Sequence, residues 1–222
     1  MGVKIFDSAN GKPFDKDFWE EMYTEDEDSL IDGIYNAKEH ANYIKSVLNL
    51  IGVKAHSIAD FGAGLGVLLK QVTLALKPKN IIALDPSEES IQKLLKSRWF
   101  SKYNIAVIHS RFQDYNISHL TENPLDLAIL NSVMQYFPDR DVVPTFARLS
   151  KICKYLYFNV PSKKDYAIMK KELDFVDPYA YSRDAEFYRN SWKKYFTMVS
   201  YNILESKHSI KHSPFQYEIF RY

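Results

Sequence analysis

The chain has 222 residues, enough for one substantial core and short for two ordinary domains. Its composition is 46% hydrophobic, 26% charged and 15% aromatic, with seven glycines and nine prolines, which excludes disordered, collagen-like and low-complexity architectures. The net charge of +1 conceals a split, because residues 1–40 hold four lysines against eleven acidic residues and the rest of the chain is basic. A solvated acidic stretch, Glu25-Asp26-Glu27-Asp28, on a mildly basic body accounts for this. The alternative is a basic nucleic-acid face beneath an acidic arm. The stretch is no calcium loop: an EF-hand read from Asp26 needs Asp or Asn and then Gly where Leu30 and Ile31 stand. No apolar run approaches the roughly 18 residues of a membrane helix. The opening MGVKIFDSAN lacks a signal peptide's apolar stretch, and Phe6 stands where myristoylation wants Ser or Thr. The lone Cys153 excludes internal disulfides and thiolate zinc cages and reads as a small buried hydrophobe. A cytoplasmic, single-domain protein with no membrane partner is the expectation.

In chain order, Phe18 with Met22 and Trp19 with Tyr23 form i,i+4 pairs that suggest an N-terminal helix within an acidic, aromatic cap over residues 1–35. Ala41, Ile44, Val47, Leu48 and Ile51 then repeat at helical spacing. His56–Phe61 is a short apolar run ending in a glycine-rich turn, after which Leu68, Val72 and Ala75 mark a helix. Asn80–Leu84 is the second run. It is followed by a helix with Ser87 as N-cap, Glu88 and Glu89 in the first turn, and Ile91, Leu94, Leu95 and Trp99 on the apolar face. Asn104–Ile108, Leu125–Leu130 and Lys154–Phe158 complete five runs, with a further helix expected over Asp139–Lys151. Near-continuous apolar runs are how strands buried on both faces read. The alternation argues for an α/β fold, an open, mostly parallel sheet with helices on both faces.

The last third changes character. Residues 161–199 read as a helical, basic and aromatic insertion, part of a lid. Two closing runs, Tyr201–Glu205 and Phe215–Tyr222, are too close for a helical crossover, so a hairpin and an antiparallel edge are expected.

The turn itself reads Asp60-Phe-Gly62-Ala-Gly64-Leu-Gly66. Glycines there let the backbone turn sharply and approach a ligand, and the following helix offers free N–H groups to an anion. The plain alternative is a tight packing turn. A dinucleotide fingerprint, G-x-G-x-x-G, would need a small residue at Val67, and the glycines run at strict two-residue intervals instead. In this spacing, with Asp60 ahead of it, the sequence resembles the class I S-adenosylmethionine-dependent methyltransferases. The resemblance covers roughly residues 36–160, and the closing hairpin fits the family's antiparallel last strand.

The resemblance implies a Rossmann-like methyltransferase sheet and a site for S-adenosylmethionine, with S-adenosylhomocysteine as product and no metal. Asp60, Gly62, Ala63, Gly64 and Gly66 would line the cofactor turn. Asp85, before Pro86 at the end of the second strand, would accept hydrogen bonds from the ribose hydroxyls. Phe112 would lie against the adenine. Arg111 stands where the family has an acidic group for the adenine amine, and a guanidinium accepts no hydrogen bond, so Asp114 or backbone atoms would take that part. Asn131 and Ser132, after the fourth strand, would face the cofactor.

Missing motifs narrow the branch. There is no N/D-P-P-Y/F tetrapeptide after the fourth strand, where the chain reads Asn131-Ser-Val-Met, and no cysteine nucleophile there. Tyr136-Phe-Pro-Asp139 resembles the small-molecule branch. The expected activity is methyl transfer to an O, N or C atom of a small molecule. An RNA or protein methyltransferase is the alternative, as is a non-catalytic cofactor-binding module acting through partners. Trp19, Tyr23, Tyr136 and Tyr181 are acceptor-pocket candidates, against the reading that such aromatics simply pack. Tyr35 or His40 is a candidate for the cofactor's methionine carboxylate. His109, His119 and Tyr136 lie near the active edge by sequence, but no catalytic base is assigned.

Overall fold

The computed structural model describes residues 36–209, which fall into two compact units. One comprises 36–116 with 125–129, and the other 117–124 with 130–209.

In the first unit, α1 (Ala37–Leu50) leads into β1 (Ser57–Phe61), α2 (Val67–Leu76), β2 (Asn80–Asp85), α3 (Glu88–Lys96), a single 3₁₀ turn at Phe100–Lys102 and β3 (Ile105–His109). The helical spacing read from the sequence is the buried face of α1: Ala41, Ile44, Val47 and Leu48 point inward. β1 and β2 are nearly continuous apolar strands. Ile58, Ala59, Phe61, Ala83 and Leu84 are essentially inaccessible, and each such large side chain contributes roughly 1.5–3 kcal/mol of burial. β3 departs from the expectation of two buried faces, because it is an edge strand whose residues all remain partly or fully exposed. In α3, Ser87 caps the first turn through its side chain, accepting from the Ser90 amide. Leu95 is exposed, and Trp99 lies beyond the helix, so the buried face is Ser90, Ile91 and Leu94.

In the second unit lie α4 (Ser118–Glu122), α5 (Asp139–Ile152), β5 (Cys153–Asn159), α6 (Lys163–Leu173), α7 (Ala185–Trp192), β6 (Phe196–Ser200) and β7 (Ile203–Ser206), with a 3₁₀ turn at Met134–Tyr136. Its core gathers Phe146, Leu149 and Ile152 of α5 with Leu156, Tyr157 and Phe196. Phe146 meets Phe158 edge-on at 5.1 Å and Phe196 at 6.3 Å, geometries the ring quadrupole favours. Cys153 is buried as the first residue of β5.

β4 (Leu125–Asn131) completes a seven-stranded sheet in the order β3-β2-β1-β4-β5-β7-β6. β1 pairs in parallel with β2 and β4, and β2 with β3, while β7 runs antiparallel to both β5 and β6. The β1–β4 pair is fastened at its start by Asp126, whose Oδ2 accepts from the amides of His56 (2.8 Å) and Ser57 (3.1 Å). This is the expected Rossmann-like, mostly parallel sheet with one antiparallel strand.

The hairpin is formed by different residues from those expected. Phe196–Ser200 is a strand and not helix, and it turns through Tyr201 and Asn202 into Ile203–Ser206. Asn202 takes a left-handed φ of 57°, which an Asn tolerates in a two-residue hairpin loop. The run Phe215–Tyr222 lies outside the described residues. Among the described residues, no helix is long and apolar enough to cross a membrane.

Candidate functional site

The glycine-rich turn closes directly onto the end of β2. The amides of Gly62 and Ala63 both donate to the Leu84 carbonyl, at 2.7 and 3.0 Å, and the Gly66 amide donates to the Ala63 carbonyl at 2.8 Å. Gly64 has φ +52° and Gly66 φ +74°, the left-handed region that costs an ordinary residue about 1–2 kcal/mol. Gly66 is constrained twice over. A Cβ on it would overlap Cδ1 of the fully buried Leu94 and come within 3.2 Å of Trp99. The third glycine therefore serves the packing of the turn on α3, and α2 begins immediately after it.

Asp85 ends β2 and is 3% exposed. Its Oδ2 accepts from the Gly64 amide at 2.8 Å, while Oδ1 accepts from the Ser87 amide and the Ser90 hydroxyl, both at 2.8 Å. The structure thus brings two expected site residues, Gly64 and Asp85, into one hydrogen-bonded unit with Ser87 and Ser90. Burial pushes the Asp85 carboxyl above the usual carboxylate range, opposed by these hydrogen bonds and by the nearby His109. A carboxylate offers about four acceptor positions. Three are filled, leaving Oδ2 room for one more donor. His109 is held by the turn as well, its Nε2 lying 2.9 Å from the Pro86 carbonyl.

Beyond β3, Arg111 and Asp114 pair with each other, Nε to Oδ2 at 2.6 Å. Phe112 is 3% exposed, its ring packed on Phe61 at 4.7 Å. Asp60 is 3% exposed at the end of β1. His40, partly exposed in α1, has its pKa lowered by burial. His119 is exposed in α4.

In the second unit, the carboxyl ends of β4 and β5 are tied by asparagines. Asn131 Oδ1 accepts from Asn159 Nδ2 at 2.9 Å, and the Ser132 amide donates to the Asn159 carbonyl at 2.8 Å. Ser132 has φ +53°, a backbone state a serine adopts only where its surroundings impose it. After it, the Tyr136 hydroxyl donates to Asp177 Oδ2 at 2.9 Å. The Tyr181 amide donates to the Gln135 carbonyl at 2.8 Å. The Tyr181 ring lies under the Arg183 guanidinium, whose carbon is 4.8 Å from its centroid. Tyr136 and Tyr181, both expected at an acceptor pocket, thus lie in one connected segment. Trp19, Tyr23 and Tyr35 lie outside the described residues.

Asp177 and Arg183 carry no sequence signal of their own. Arg183 is 6% exposed in its side chain. It donates to Asp139 Oδ1 and to the carbonyls of Met134 and Phe137, and its remaining NH1 contact is the Tyr188 hydroxyl. It is the clamp that holds the 134–139 turn. Burial raises the Asp177 carboxyl above the usual range, against hydrogen bonds from the Tyr179 amide and Tyr136. The nearest hint in the sequence was the density of tyrosines around it.

Residues 58–155 match the model of a methyltransferase-domain family. No curated protein matches the sequence. Among solved structures, the chain is similar to magnesium protoporphyrin IX methyltransferase (ChlM) from Synechocystis PCC 6803 with bound S-adenosylhomocysteine. The identity is 15% and the TM-score 0.57, over 86% of this chain and 92% of that one. It is also similar to the cyclopropane synthase MmaA2 from Mycobacterium tuberculosis, at 16% identity and TM-score 0.55, over 84% and 73%. A third likeness is to the plantazolicin methyltransferase BpumL in complex with a monoazolic desmethylPZN analog and S-adenosylhomocysteine, at 15% and 0.59, over 72% and 63%. That family match at the centre of the chain, with this sheet order around it, gives the chain a methyltransferase-domain likeness set in the Rossmann-like fold of these neighbours.

Proposed function

We propose that this enzyme transfers the methyl group to an O or N atom of a small molecule. The observation that carries the reading is the Tyr136–Asp177 pair, a half-buried polar couple whose tyrosine follows the fourth strand. Such a couple offers polar contacts to a compact acceptor. The Synechocystis neighbour, a magnesium protoporphyrin IX methyltransferase, supports the same branch.

For the cofactor, the donor set fits. The ring of amides and glycines at 62–66 and the Asp85 carboxylate would hold it, with one ribose hydroxyl and not both on the single free acceptor position of Oδ2. Asp60, Ala63, Pro86, Phe112, Asn131 and Ser132 complete the proposed set, with Arg111 orienting Asp114 at the adenine side. When bound, S-adenosylmethionine supplies an already activated sulfonium methyl. The protein's part is then to align the acceptor and exclude water. No metal enters the proposal. We further take the chain as one methyltransferase domain, with 1–35 as a cap and the part of the 161–199 segment that precedes β6 as part of a lid, acting in the cytoplasm.

The test is incubation with methyl-labelled S-adenosylmethionine and separate pools of small amines and alcohols, total RNA, and protein. Label recovered in a small-molecule pool is expected, and label confined to RNA or protein would overturn the reading. S-adenosylhomocysteine at ~100-fold excess over its Kd should raise Tm by about 5–10 °C, with no shift from NAD.

A further inference from the structure

Asp177 is an acidic group of the second unit held by neutral donors. It is half-buried and accepts from the Tyr136 hydroxyl at 2.9 Å and from the Tyr179 amide at 3.0 Å. No Lys, Arg or His forms an ion pair with it among the described residues. Arg183, the buried guanidinium of the same segment, is committed to Asp139 and to two backbone carbonyls. Tyr166, in the same unit, has a buried hydroxyl that makes no hydrogen bond. Burial and then the negative field of Asp177 hold the proton on that hydroxyl.

A carboxylate withdrawn from water is stable when a cation pairs with it, and a buried hydroxyl when it is hydrogen-bonded. One group satisfies both needs. A protonated amine brings the missing positive charge and up to three N–H donors, and tyrosine faces attract it further. A neutral alcohol would serve Tyr166 and leave the charge unmatched, while a carboxylate or phosphate would be repelled. We propose that Asp177, with Tyr136 and Tyr166, forms the subsite that seats a protonated amine carried by the small-molecule acceptor. The proposal deepens the small-molecule reading and rests on it.

The experiment is calorimetry on the full chain saturated with S-adenosylhomocysteine, titrated with benzylammonium and with benzyl alcohol, two probes of one shape that differ in charge. Benzylammonium is expected to bind at least tenfold more tightly. Asp177→Asn, which removes the charge and keeps one of the two acceptor oxygens, should bring the two probes within about twofold while S-adenosylhomocysteine affinity holds. Tyr166→Phe, which removes only the unbonded hydroxyl, should weaken benzylammonium severalfold in a folded protein. Equal affinity of the probes for the wild type, or a preference undiminished in Asp177→Asn, overturns the subsite alone. Failure of the wild type to bind S-adenosylhomocysteine overturns the underlying reading with it.

Discussion

Asp85 and Asp177 are both carboxylates pushed upward by burial, and they are supported in opposite ways. Asp85 draws its donors from residues two to twenty-one positions away, most of them within one strand-to-helix turn. Asp177 depends on Tyr136, forty-one residues earlier, in a segment clamped by Arg183 across forty-four residues to Asp139. The first arrangement is written into a few consecutive letters. The second exists only once distant pieces of chain have come together, so its stability and its selectivity are easier to separate by mutation.

The largest effect on that contrast should come from Arg183→Ala. The carbonyls of Met134 and Phe137 would lose a charged donor in a buried place, at a cost of roughly 2–4 kcal/mol. Denaturant midpoints would fall accordingly, and a loss below about 1 kcal/mol would show that water replaces the clamp. In the other unit, Gly66→Ala should cost about 1–3 kcal/mol, since it combines a positive φ with overlap on Leu94. Equilibrium unfolding checks it, and a neutral result would mean that Leu94 yields freely.

Asp85→Asn should weaken S-adenosylhomocysteine by about tenfold, ~1.4 kcal/mol. The pH dependence sharpens this. An Asp whose folded pKa is raised gives the fold a contribution that is present below its unfolded value and lost as pH rises through the folded one. Cofactor binding runs the other way, because hydroxyl donors need the ionised carboxylate. Wild-type affinity should therefore fall on acidification while the pH is still above the ordinary Asp value of about 3.9, and that of Asp85→Asn should stay level. Calorimetry across pH 4–7 distinguishes the two. The smallest effect is Tyr166→Phe, which should raise stability by about 1 kcal/mol by deleting an unsatisfied buried hydroxyl. A loss of stability would show that the hydroxyl has a partner in solution.

How far each region could be read from the letters follows the same division. Most strands and the helices between them were legible because burial on both faces writes itself as nearly continuous apolar runs, as in Ile81–Leu84. The spacing of Gly62, Gly64 and Gly66 carried the family resemblance. The hairpin was mislaid because its turn uses Asn202 without a glycine, so Phe196–Ser200 read as the end of a helical stretch. Asp177 was invisible for another reason: a carboxylate before a proline in a loop is ordinary until Tyr136 bonds to it. Gly66 was read as a cofactor residue, and its steric reason turned out to be a neighbouring helix and indole.

That last contact has a genetic consequence. If Gly66 is small because Leu94 and Trp99 occupy the space, damage from Gly66→Ala should be partly relieved by shrinking the obstacle, not by changing the loop. A suppressor screen would return shorter residues at 94 or 99, each harmful alone and each tolerated with the alanine. Rescue would stay incomplete, since the left-handed backbone at that position is a debt no neighbour can remove.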